Sequence, residues 1–131
     1  MSHDDTGSVS VEFAAGAVLT LALVTTMLIT VGRIVLAQAV ITDVATAAAR
    51  SASIARTATE ATHDATTTAQ HVLTEQQLRC QHTTVEVDTS GFSVPVGRAA
   101  SVRVEVTCSI PGTPTLSDSF VSPLDPYRGR T

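Results

Sequence analysis

At 131 residues the chain is long enough for one ordinary domain, yet an apolar segment near its start takes part of that length and leaves a small remainder. Charged residues make up only 15% and aromatics 3%, so a core must be assembled from Ala, Val and Leu rather than from large rings. Every basic side chain is Arg, Lys and Asn are absent and the net charge is −4, which excludes a Schiff-base lysine, a P-loop lysine and an N-glycosylation sequon and gives nucleic acid little to bind.

From Phe13 to Gly32 the sequence reads FAAGAVLTLALVTTMLITVG, about 20 residues without a charge, bounded by Glu12 and Arg33. At about 1.5 Å of rise per residue this spans the roughly 30 Å hydrocarbon core of a bilayer. The length, the charged ends and the lack of a polar face predict a single transmembrane helix rather than a buried core helix. Thr20, Thr25, Thr26 and Thr30 are tolerable in lipid because a helical Thr hydroxyl can bond the carbonyl one turn earlier.

Between Ile34 and Leu78 there is neither Pro nor Gly. Val35, Ala39, Val40, Val44, Ala48, Ala52, Ala55, Ala58, Ala61, Ala65, Ala69 and Val72 recur at steps of three and four, the stripe of a helix. Unbroken from Glu12 to Leu78, such a helix would be on the order of 100 Å long. The stripe is mostly Ala, which buries little area but lets neighbouring backbones approach closely. The Thr-rich stretch 57–68 reads as a solvated helix face.

Composition changes at Cys80. TTVEVD (83–88) and ASVRVEVTCS (100–109) alternate apolar and polar residues, with Gly91, Pro95 and Gly97 punctuating the turn between them, and predict an antiparallel pair. A Cys80–Cys108 disulfide would close the open end of this hairpin and add roughly 3 to 4 kcal/mol on the chain-entropy model. LSDSFV (116–121) is a candidate third strand, and the Pro-rich ending SPLDPYRGRT reads as a tail. His63, His71 and His82 follow no zinc spacing, and no cofactor, metal or catalytic constellation is expected.

The orientation signals conflict. Arg33, Arg50 and Arg56 follow the apolar segment while the leader MSHDDTG holds two Asp, which favours a cytoplasmic C-terminus. A disulfide persists outside the cytoplasm. We follow the cysteines, because the charge rule is a bias that dedicated targeting of a short leader overrides.

Glu12 sits at the edge of the apolar helix, where an acidic side chain is costly. A cut after Gly7 would give Ser8 a new α-amino group one helical turn before Glu12, and that amine, on the same subunit or a neighbour, would neutralise the carboxylate. The plainer reading has Glu12 meeting the positive end of the helix dipole. GSVSVEF (7–13) ahead of a long apolar helix resembles the class III signal of type IV pilin-like proteins, cut by a prepilin peptidase after Gly. GRIVLAQAVITDVATAAARSAS (32–53), VDTSGF (87–92), PVG (95–97) and SPLDPYR (122–128), in that order with Cys80 and Cys108, resemble TadE-like proteins of the tight-adherence (Flp-type) pilus system, in the short actinobacterial type.

The resemblance implies a non-enzymatic minor pilin or pilus-assembly component. Its implied processing site is Gly7 and Ser8, and its implied assembly residue is Glu12. Its partners would be membrane lipid, other pilin-like subunits, the assembly machinery and a prepilin peptidase, with no small-molecule substrate. The expected organisation is α+β: a leader at 1–7, a transmembrane helix at 8–33, a helical stalk at 34–79, a β-rich exported domain at 80–122 and a flexible tail at 123–131. The protein would sit in the cytoplasmic membrane as a single-pass protein with its C-terminal domain outside. Two rival readings are a membrane-anchored binding or sensing module unrelated to pili, and a small secreted domain released by cleavage after Ala37-Gln38-Ala39, with Val40 first.

Overall fold

The computed structural model of the chain describes residues 6–129, with side chains from residue 13 onward. Its elements are α1 (Thr6–Ile54), α2 (Ala58–Glu75), β1 (His82–Asp88), a 3₁₀ turn (Ser90–Ser93), β2 (Ala100–Ser109) and β3 (Leu116–Leu124). The architecture is α+β, and the chain divides into two compact units, Met1–Val35 and Leu36–Thr131.

The first unit holds the apolar part of α1. Large side chains on every side of the helix are exposed, among them Phe13 at 81%, Leu23 at 70% and Met27 at 70%. The hydroxyls of Thr20, Thr25, Thr26 and Thr30 donate to the carbonyls of Gly16, Leu21, Ala22 and Thr26, each at 2.8 Å, as the sequence anticipates. Helical backbone continues across Gly32, so α1 carries the chain into the second unit.

In the second unit, α1 buries Ile41, Val44, Ala45, Ala48, Ala49 and Ala52, a face repeating at three and four residues. On α2 the buried positions are Ala61, Ala65, Ala69 and Leu73, four apart. Thr68 Oγ1 donates to Ser51 Oγ at 3.0 Å, joining the two helices. Alanine suits such a contact because burying it costs no side-chain entropy.

The single helix expected to run to Leu78 is two helices. Thr57 leaves the helical conformation at ψ 156° and its side chain accepts from Glu60 N at 3.1 Å, while Glu60 Oε2 accepts from Arg56 N at 2.9 Å. This is a variant of the capping box, in which a side chain at each end of one turn satisfies a backbone donor that no helix carbonyl can reach. The segment read as a stalk, 34–79, therefore folds back, and from Leu36 onward it shares one compact unit with the sheet. The stripe itself holds at Val44, Ala48, Ala52, Ala55, Ala61, Ala65 and Ala69, which are buried; it fails at Val35, 61% exposed, and at Ala39, also exposed, and the buried face takes in Ile41, Ala45 and Ala49 besides.

The sheet is antiparallel in the order β1-β2-β3. Val102, Val104, Val106 and Cys108 of β2, with Leu116, Ser122 and Leu124 of β3, form its buried face, and Ser101, Arg103, Glu105 and Ser119 lie on the exposed one. α2 packs against β1, and α1 bonds β3 through Gln38 Nε2, which donates to the Ser117 carbonyl at 3.1 Å, and Thr42 Oγ1, which donates to Asp118 Oδ2 at 2.5 Å. The helices thus cover one face of the sheet.

The expected tail at 123–131 is anchored over most of its length. β3 continues through Pro123 to Leu124, which an edge strand permits because its outward N–H needs no partner. Beyond it, Asp125 Oδ1 accepts from Tyr127 N at 2.9 Å, the Pro126 carbonyl accepts from Gly97 N at 2.7 Å and Arg128 Nη1 donates to the Ile54 carbonyl at 2.8 Å.

Candidate functional site

Two features stand out in the described residues: the apolar helix and the disulfide-bearing end of the second unit. The charge-free part of α1 is long and apolar enough to cross a membrane, and none of its most apolar stretch is buried. Beyond Gly32 the helix changes character. Arg33, Asp43 and Arg50 interrupt it and its apolar face from Ile41 to Ala52 is covered, so Phe13–Gly32 is the part left without a polypeptide partner in the described residues. With its backbone bonded internally and its threonines bonded back onto it, this segment presents hydrocarbon and little else.

Gly7, Ser8 and Glu12, the residues expected at the processing and neutralisation site, belong to the helical backbone of α1, and their side chains lie outside the described residues. The spacing of Ser8 and Glu12 is one helical turn.

Cys80 and Cys108 are joined, with Cα atoms 5.4 Å apart. Thr83 stands opposite Cys108 in the ladder and Gln81 N donates to the Ser109 carbonyl at 2.7 Å, so the bond closes the open end of the hairpin as expected. Cys108 is fully buried and Cys80 half-buried. Cys108 in turn faces Leu116, beside the Ser117 that accepts the bond from Gln38. The disulfide therefore lies at the end of the sheet where α1 enters the unit, and the bond from Arg128 to Ile54 lies at the other.

α2 returns the chain to the disulfide end and stops in a Schellman motif. Gln77 N donates to the Thr74 carbonyl and Leu78 N to the Leu73 carbonyl, both at 3.1 Å. Gln77 occupies the left-handed region at φ 56°, a position where glycine is usual. No Gly or Pro marks this stop, which is why the sequence does not reveal it.

At the far end of β1, Asp88 Oδ1 accepts from Ser90 N at 2.9 Å. That backbone bond and then the Ser90 side chain hold the Asp88 carboxyl below its ordinary range; desolvation opposes them, and the charge of Arg103, its partner across the ladder, adds the smallest effect in the same downward direction. Gly91, in the following 3₁₀ turn, is buried, and a Cβ there would strike the Ser101 carbonyl oxygen.

Two of the candidate histidines have local partners: His63 Nδ1 lies 3.4 Å from Asp64 Oδ1 and His71 Nδ1 lies 3.4 Å from Glu75 Oε2, while His82 opens β1. Among the described residues no three His, Cys, Asp or Glu side chains are gathered as a metal site would need. No family model, curated protein or solved structure matches this chain.

Proposed function

We propose that the chain is a structural, non-enzymatic subunit of a membrane-based filament system, a minor pilin or assembly component of the TadE-like kind, held in the cytoplasmic membrane by Phe13–Gly32 with Leu36–Thr131 outside. The observation that carries this reading is the exposure of apolar side chains on all sides of α1 through Val31. In water such a surface is unfavourable by about 25 cal/mol per Å², so it calls for lipid or for the helices of other subunits. The disulfide supports an exported second unit. Membrane lipid, pilin-like neighbours and a prepilin peptidase acting between Gly7 and Ser8 are the partners proposed, and Glu12 is the residue proposed to meet a neighbour's new amino group.

N-terminal sequencing of protein extracted from membranes tests the reading. It should begin at Ser8. A start at Met1 or Ser2 would favour a membrane-anchored module outside the pilus system, and a start at Val40 would favour a secreted domain. That last cut would also remove the Gln38 bond to Ser117.

A further inference from the structure

The two sulfurs of the disulfide stand in unlike surroundings within the second unit. Cys108 has no exposed surface, faces Thr83 and Leu116 across the ladder, and shares the buried face of the sheet with Val106. Cys80 is partly exposed and lines a groove of about 800 Å³ between the C-terminal end of α2 and the start of β1, whose walls do not include Cys108. We propose that Cys80 is the sulfur through which this disulfide exchanges with an external thiol, and that the burial of Cys108 makes the exchange slow while the unit is folded.

Thiol–disulfide exchange is a displacement at sulfur, in which a thiolate attacks one sulfur of the bond and the other leaves as a thiolate. A thiolate entering by the groove forms a new bond to Cys80 Sγ. The bond between Cys80 and Cys108 breaks, its electron pair leaves on Cys108, and Cys108 takes up a proton. A second thiolate then attacks the external sulfur of the mixed disulfide and frees Cys80. Two external thiols are thereby oxidised to their disulfide as the protein gains its two thiols. Run in reverse with a disulfide as oxidant, the same steps make the bond, with Cys80 attacking first.

Access and leaving ability oppose each other at the two sulfurs. Attack at Cys108 would release Cys80, the better leaving group, because Arg79 beside it on the groove wall stabilises a thiolate and no carboxylate lines the groove. Burial under the helices and between two strands closes that approach. Attack at Cys80 is open, but it releases Cys108 into an apolar face where a thiolate is raised in energy and leaves slowly. The reachable sulfur therefore carries the poor leaving group, and the bond is guarded by position until unfolding wets Cys108. Arg79 also selects among thiols, since its charge draws an anionic one to the groove and repels a cationic one.

The test uses the full chain in uncharged detergent micelles, treated with 2-mercaptoethanesulfonate, quenched in acid and mapped by peptide mass spectrometry. In the folded chain the adduct should stand on Cys80 over Cys108 by at least about tenfold. Urea that unfolds the second unit should speed cleavage of the bond by at least about tenfold and place the adduct on both cysteines. Arg79→Gln should slow the reaction with this anionic thiol about threefold and speed that with cationic cysteamine by a like factor, which is what one unit charge at roughly 6 Å in water supplies. Arg103→Gln, on the exposed face of the sheet, should change neither rate.

Adduct on Cys108 in the folded chain, no adduct until urea unfolds the unit, or a cleavage rate that urea leaves unchanged would overturn the proposal. An equal effect of Arg79→Gln on both thiols would overturn the selection by charge.

Discussion

Arg128 Nη1 donates to the carbonyl of Ile54 at 2.8 Å, closing the last turn of α1 from 74 residues away. The final carbonyls of a helix have no partner within it and carry its negative dipole end, so a cation donating there satisfies both. Arg128→Ala should cost about 0.5–1 kcal/mol in denaturant unfolding of the second unit, with Arg128→Lys falling between it and the native chain. Unchanged stability in Arg128→Ala would show that this bond is idle in solution.

Reduction of Cys80–Cys108 should lower stability by roughly 3 to 4 kcal/mol, since the bond closes a loop of 28 residues' separation in the unfolded chain. Urea unfolding with and without reductant gives the difference directly. A shift below about 1 kcal/mol would mean that the unfolded chain is already compact between the two positions.

Gly91→Ala should be costly out of proportion to its size. The added methyl meets the backbone carbonyl of Ser101 and not a flexible side chain, so the 3₁₀ turn and β2 must separate, at about 1–3 kcal/mol. Gly16→Ala, with nothing within 4 Å of its Cβ and inside α1, should have the opposite sign, favouring the helix by up to about 1 kcal/mol.

Asp88 gives the second unit a defined pH response. Its folded-state pKa lies below the unfolded one, so its contribution to stability is complete above the ordinary Asp range and is lost as pH falls through the lowered folded value. Stability of the native chain relative to Asp88→Asn should therefore decline on acidification, and carbon-detected NMR should show the Asp88 carboxyl titrating below a typical Asp. A midpoint at or above the ordinary value would contradict the bond to Ser90.

Glu12→Ala tests the assembly role. The variant should still be cut after Gly7, because the change lies one turn past the cut, yet enter filaments poorly. Normal incorporation would remove neutralisation as the role of Glu12.

Much of this architecture is legible in the residues. The apolar helix shows itself by length and charged ends, and β2 by five alternations in ten residues that leave Val102, Val104, Val106 and Cys108 on one face. The hairpin disulfide follows from where the two cysteines fall against the strands. Other features were present in the sequence but outweighed. Thr57-x-x-Glu60 is a start signal for α2, hidden because the alanines run on with helical spacing across the break. Still others cannot be read at all. Stopping α2 at a left-handed Gln, and tying Arg128 to Ile54 and Pro126 to Gly97, depend on where distant backbone comes to rest.

The disulfide also sets how the second unit answers to force. Pulled from its two ends, the unit can give up β3 and the helices, but the segment between Cys80 and Cys108 stays shut behind a covalent bond. About 95 Å of contour is thereby withheld from extension. β1, the 3₁₀ turn and most of β2 lie inside that closed loop, so their two ends stay together under a load that draws the rest of the unit out.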